Sequence, residues 1–323
     1  MTAEVDSDRL LTPESSFIPR FYAWVQERFP FSQGILFLVL YVTALFTGQA
    51  MTNVKPLKFE FADVVGFFAV WGFFLMLRIF DEHKDFELDL ENYPHRVLQS
   101  NLISLTHLKI ACGFAISLQL GVSIWFDQGI GLITFSWLAV MLWSALMAKE
   151  FFIGDWLNKR LFLYAFSHML VMPFAVVWMA EMGASGRWPG PPIAVLGLIA
   201  FCSGFAFELT RKNRAPEEER VSVDSYSRHF GVKGAAAMIA IFLLTAAAGQ
   251  FWLLENLLEG RFHTGWMAGL VIVLLPAFFT LTRFVIHPTI SGRKHNEGSL
   301  ALAMLGGYVI LIAALIFDRG VQF

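Results

Sequence analysis

Six carboxylates crowd one short stretch of this chain: Asp81, Glu82, Asp85, Glu87, Asp89 and Glu91, within RIFDEHKDFELDLENYPHR, residues 78–96. Asp81, Asp85 and Asp89 are spaced i, i+4, i+8, which on a helix puts them along one face with Glu82 beside it. Like charges at this spacing repel, and a hard divalent cation relieves the repulsion. Mg2+ takes one or two carboxylates and completes its shell with water and substrate phosphates. Asp81, Glu82, Asp85 and Asp89 are therefore candidate Mg2+ ligands, and Asp81, Asp85 and Asp89 are the candidate catalytic residues. The reading needs a helix that runs on to Asp89, with Pro94 ending it. The alternative is a solvated acidic helix end, neutralised by Lys84 and Arg96. The run directly continues the apolar stretch VVGFFAVWGFFLML, and ionisable groups at a membrane span usually mark function.

A second polar segment, FELTRKNRAPEEERVSVDSYSRHFG, covers residues 207–231. Its basic residues Arg211, Lys212 and Arg214 suit phosphate oxygens directly; alternatively Glu208 supports a metal and the bases serve membrane topology. Lys149, in AKEFFIGDWLNKR, reads as a helix-end anchor. Tyr164 and His168 share a helix face at i, i+4, as an interior hydrogen-bonded pair or as neighbours of a bound substrate.

The elements that carry these residues are membrane helices. The chain has 323 residues, 56% hydrophobic and 15% charged, and a mean hydropathy of +0.59, far from a soluble domain. A net charge of −2 argues against a nucleic-acid role. Cys112 and Cys202 lie in apolar runs and read as packed thiols. FIPRFYAWVQERFP reads as an amphipathic interfacial helix or as an ordinary tail. About 20 apolar residues span a bilayer, and nine segments approach this: 32–50, 60–80, 104–126, 130–148, 161–180, 192–209, 234–254, 265–286 and 299–317. With nine spans, 19 of the 24 Lys and Arg fall on the side of the N-terminus and both polar segments, which the positive-inside rule makes cytoplasmic. In a helical bundle, the two polar segments could meet over one cavity. The expected architecture is an all-α polytopic membrane protein, with residues 1–31 a cytoplasmic or interfacial segment and 32–323 a single transmembrane domain. The expected location is a bacterial cytoplasmic membrane.

These residues resemble the UbiA superfamily of intramembrane prenyltransferases, which has nine spans and a first motif NDxxDxxxD. Here Asp81 stands for the motif's Asn and Glu82 for its first Asp, while Asp85 and Asp89 match outright. Asn92-Tyr93-Pro94-His95-Arg96 and Ile103-Ser104 follow as in the family, with Arg96 where an arginine is kept. The second motif, DxxDxxxD, is departed from: Glu208 takes its first place, but Arg211 and Ala215 occupy the others. The Phe230-Gly231 turn resembles the family's entry into span 7. The resemblance implies Mg2+-assisted transfer of a prenyl group from an isoprenyl diphosphate to an aromatic or lipid acceptor within the bilayer. It implies Arg96, Lys149, Glu208, Arg211 and Lys212 as substrate contacts. It also admits a terpene cyclase, a phosphoribosyltransferase acting on a lipid phosphate, or an inactive member. A transporter is disfavoured, because the acids gather at one end of the spans rather than midway.

Overall fold

Inside a bilayer a long apolar run has no partner for its backbone polar groups except itself, so it folds as helix. The computed structural model of the chain describes residues 11–220, 224–259 and 263–323, with only the backbone of His263. Arg9 and Arg261, counted in the charge asymmetry above, lie outside the described residues, as do residues 1–10 of the N-terminal segment. The elements in order are α1 (Phe17–Arg28), α2 (Gln33–Met51), β1 (Leu57–Lys58), α3 (Phe61–Lys84), α4 (Phe86–Asn92), α5 (Leu105–Asp127) and α6 (Leu132–Ala148). There follow α7 (Gly154–Leu157), α8 (Leu161–Met169), α9 (Val171–Ala184), α10 (Pro191–Arg211), α11 (Tyr226–Leu257), α12 (His263–Ile286), α13 (Ile290–Arg319) and β2 (Val321–Gln322).

Among the described residues, eight helical segments are long and apolar enough to cross a membrane, and α6 is a shorter apolar helix. The chain is an all-α integral membrane protein, and each of the nine expected spans has its helix. At 1.5 Å per residue, the 17 residues of α6 reach about 25 Å, just short of a hydrocarbon core of about 30 Å. The fifth expected span is two helices, α8 and α9, meeting at Leu170. Pro173 lies in the first turn of α9, where its missing N–H costs least. Pro191 likewise opens α10 behind the N-cap Gly190. The stretch FIPRFYAWVQER folds as α1 and buries Trp24 and Val25.

The chain divides into two compact units, Met1–Phe37 with Phe68–Gln119, and Leu38–Phe67 with Leu120–Phe323. In the first, Trp24, Phe29, Phe73, Met76, Ile79, Leu98 and Leu108 are buried, and Phe37 stacks on Phe74 at 4.1 Å between ring centres. In the second, Phe205, Leu209 and Tyr226 pack with Ile239, Leu243, Leu281 and Leu300. There α2 and α9 approach so closely that a Cβ on Gly48 would strike the carbonyl oxygen of Ala180, and one on Gly183 that of Leu45. The two short strands pair in parallel, Leu57 with Val321. Cys112 and Cys202 are free and buried.

Candidate active site

The first acidic segment is built at the end of α3. The expectation of one helix running through Asp89 is corrected: α3 stops at Lys84, and Asp85, at φ −94° and ψ 5°, starts α4. The helical spacing survives this bend, because the Asp85 amide still donates to the Asp81 carbonyl at 2.9 Å and the Asp89 amide to that of Asp85 at 2.8 Å. The three aspartates thus rise one turn apart around a bend, not along one straight face. α4 ends at Asn92, before Pro94.

Arginines hold two of the four candidate metal ligands. Glu82 is 1% exposed; its Oε1 accepts from Arg28 Nε at 2.6 Å and from Arg78 Nε at 3.0 Å. Asp89 Oδ2 accepts from Arg96 at 2.6 Å and, at 3.4 Å, from Arg28. Arg96 also lies over the Tyr93 ring, 3.7 Å from its centre. Burial works against the charged form of Arg28, but the Glu82 bond and the charges of Glu82 and Asp89 outweigh it and push its pKa up. The helix that supplies Arg28 is tied to the same segment twice more: Glu27 accepts the Val97 amide at 2.9 Å, and Arg20 donates to the Leu102 carbonyl at 2.8 Å. In the sequence Arg20, Arg28 and Arg78 stand out only as members of the basic set that signals topology. The i, i+4 spacing of Arg78 and Glu82 was the one local signal; nothing local marks Arg28.

Asp81 and Asp85 are outside these arginine pairs, and both side chains reach solvent. Partial burial and the charges of Asp89 and Glu82 push the Asp85 carboxyl above its ordinary range, against the pull of Lys84 and Arg28. Two carboxylates in surplus negative surroundings fit a hard cation that shares phosphate oxygens. Glu82 fits less well as a ligand, since Oε1 belongs to the arginines, although its buried Oε2 has no hydrogen-bond partner. Among the described residues, no group of three or more His, Cys, Asp or Glu stands ready to hold a metal through protein atoms alone.

The other candidates belong to the second unit. Glu208, at the end of α10, accepts from Arg211 at 2.7 Å and Lys212 at 2.8 Å, one carboxylate oxygen for each. These local pairs leave Arg211 59% exposed. Past them, Glu218 pairs with Arg293 at 2.8 Å, and Arg293 also pairs with Glu297. Glu219 accepts from Ser225 at 2.7 Å and Ser227 at 2.6 Å, so two of the three glutamates that follow the basic run fasten the loop. The turn expected at Phe230-Gly231 is present: Gly231 has φ 70°, a conformation that favours glycine. Val221–Val223 lie outside the described residues.

Lys149 is the C-cap residue of α6. Immediately after it Glu150, Phe151 and Phe152 all take positive φ, which is costly for non-glycine residues. The bend turns Phe151 back against Trp143 at 5.3 Å and His168 at 5.9 Å. Tyr164 and His168 share a face as expected and stack at 4.0 Å, with His168 Nδ1 2.8 Å from the Tyr164 carbonyl oxygen.

Neither a protein-family model nor a curated protein matches the chain. Two solved structures do. One is a digeranylgeranylglyceryl phosphate synthase, with a TM-score of 0.64 and 16% identity, covering 94% of this chain and 99% of its own. The other is a UbiA homologue from Aeropyrum pernix K1, with a TM-score of 0.55 and 15% identity, covering 87% of this chain and 97% of its own. Span count, the acidic segment that ends α3 and these two likenesses converge: the chain has the fold of the UbiA superfamily.

Proposed function

We propose that this chain is a membrane-embedded prenyltransferase that takes an isoprenyl group from an isoprenyl diphosphate, with Mg2+, and passes it to a hydrophobic aromatic or lipid acceptor. The observation that carries the reading is the pairing of unlike roles in one segment. Glu82 and Asp89 hold Arg28, Arg78 and Arg96, while Asp81 and Asp85 stand outside those pairs and are proposed to meet the cation. Transfer breaks the allylic C–O bond, with its electron pair leaving on the diphosphate; the prenyl carbon then bonds the acceptor, which gives up a proton. Bound Mg2+ supplies positive charge to the leaving oxygens. Arg96 and Arg28, held in place before substrate arrives, supply more charge without reorganising. Glu82 and Asp89 are the residues that aim them. Lys149, Arg211 and Lys212 are proposed phosphate contacts within their own unit, with Glu208 holding the latter two.

Trp143, Phe151, Tyr164 and His168 pack in one aromatic cluster, proposed as the source of ring faces that stabilise an allylic cation. The test is diphosphate release by purified protein across prenyl diphosphates of increasing length, with Mg2+ or EDTA and with or without membrane lipid extract as acceptor. Release that needs both Mg2+ and extract, with a prenylated product, supports transfer. Terpene formed without extract replaces transfer by cyclisation, and no release with any chain length rejects the reading.

A further inference from the structure

The turn between α12 and α13 takes no part in the proposed reaction, yet it encloses a pocket of about 500 Å3. Arg283, His287, Thr289, Ser291, Gly292 and His295 line it with Phe279 and Thr280. Its charge is cationic and uncommitted. Arg283 has no acidic partner among the described residues, whereas the nearby acids Glu218 and Glu297 are both taken by Arg293. Among the described residues, His287 keeps its ring free of hydrogen bonds, and His295 has only Ser291 Oγ, at 3.4 Å.

The backbone adds to this charge. α13 is 30 residues long, and its N-cap Thr289 accepts the Gly292 amide at 3.0 Å. The amides of Ile290 and Ser291 are left without an intrahelical acceptor, at the end of the helix that favours anions. Behind the wall, Asn296 is 2% exposed; its Oδ1 accepts from the lining Thr280 at 3.4 Å, and its Nδ2 has no partner.

What leads to the pocket selects the kind of anion. Ile272, Leu275 and Phe279 are each more than half exposed. Their spacing continues through Arg283, so one face of α12 runs from bare hydrocarbon surface to a guanidinium. A soluble anion has no use for that stripe, whereas a lipid uses both ends. We propose that this turn binds the phosphate of an anionic phospholipid whose acyl chain lies along Ile272, Leu275 and Phe279. Basic pockets at helix ends near a membrane surface take such headgroups.

The test measures lipid retained by the whole protein, by native mass spectrometry from micelles doped with phosphatidylglycerol or phosphatidylcholine. Wild type should keep phosphatidylglycerol in preference. Arg283→Gln should weaken that retention roughly ten-fold, the size of one charge-assisted hydrogen bond, with an unchanged melting temperature in phosphatidylcholine. If Arg283→Gln lowers that melting temperature, His295→Gln carries the same comparison. Millimolar inorganic phosphate should not displace the lipid. Equal retention by the folded variant overturns the proposal. So does displacement by inorganic phosphate, which makes this a soluble-anion site, or a wild-type dimer that excludes lipid from this face.

Discussion

Arg28 donates through Nε to Oε1 of Glu82 at 2.6 Å, joining residues 54 positions apart in the chain. The acceptor is almost wholly buried, so its charge must be matched within the protein. Arg28→Ala leaves Glu82 with Arg78 alone. It should destabilise the protein by about 1–3 kcal/mol, the cost of an under-paired buried charge, and lower prenyl diphosphate turnover. Thermal melts and diphosphate release check both. A variant as stable as wild type removes the anchoring role of α1.

Asp85→Asn keeps size and removes charge. If Asp85 helps hold Mg2+ against the substrate, the rate of diphosphate release should fall about 10²–10³-fold, as for loss of one transition-state charge contact. The melting temperature without substrate should hold or rise, since the Asp85 charge now sits among like charges. Unchanged turnover with the same Mg2+ dependence would sink the assignment.

The main outline was legible because it rests on long-range averages: twenty apolar residues in a row leave no alternative to a helix. The acidic segment was legible because its signal is local, one carboxylate per turn. The clamp on it was not. Arg28 meets Glu82 through a tertiary fold, and in sequence it is one more basic residue beside a span. The bend at Asp85 was hidden for a different reason. Its ψ of 5° breaks the helix geometry while the hydrogen bonds continue on either side, so spacing could not show it. At Lys149 the residue type gave no hint that the next three residues take positive φ.

Glu218 supplies a pH dependence. Its partial burial raises the carboxyl pKa, but the Arg293 hydrogen bond and charge overcome this and hold it below the ordinary glutamate range. A depressed folded pKa stabilises the protein above the unfolded value of about 4.3 and loses that contribution as pH falls through the folded value. Arg293→Gln should therefore lower the melting temperature at pH 7, and the gap from wild type should close progressively below about pH 4. A gap that stays constant down to pH 3 would assign the effect to packing.

By the positive-inside rule, the charge asymmetry of the sequence predicts that Glu218 and Gly186 lie on opposite sides of the membrane. Cys112 and Cys202 are buried, so background labelling by an impermeant maleimide should be low. Glu218→Cys should label only after the membrane is opened from the cytoplasmic side, and Gly186→Cys in intact cells. Labelling of both from one side would refute the nine-span topology.

Arg211 separates two accounts of the departure from the second acidic motif. It is 59% exposed and holds one oxygen of Glu208, while Lys212 holds the other. If the basic pair binds phosphate, it replaces charge that a second metal would bring. Arg211→Ala should then weaken prenyl diphosphate binding by about ten-fold, with little change in melting temperature, because an exposed ion pair contributes less than about 1 kcal/mol to folding. Arg211→Asp adds a carboxylate beside Glu208 and should raise the Mg2+ concentration needed for half-maximal rate, which Arg211→Ala cannot do. If Arg211 only keeps its loop on the basic side of the membrane, 18 other basic residues share that task. Both variants should then keep wild-type affinity and Mg2+ dependence. That outcome would return phosphate binding to Arg96 and Arg28, where Asp89 already aims both guanidiniums.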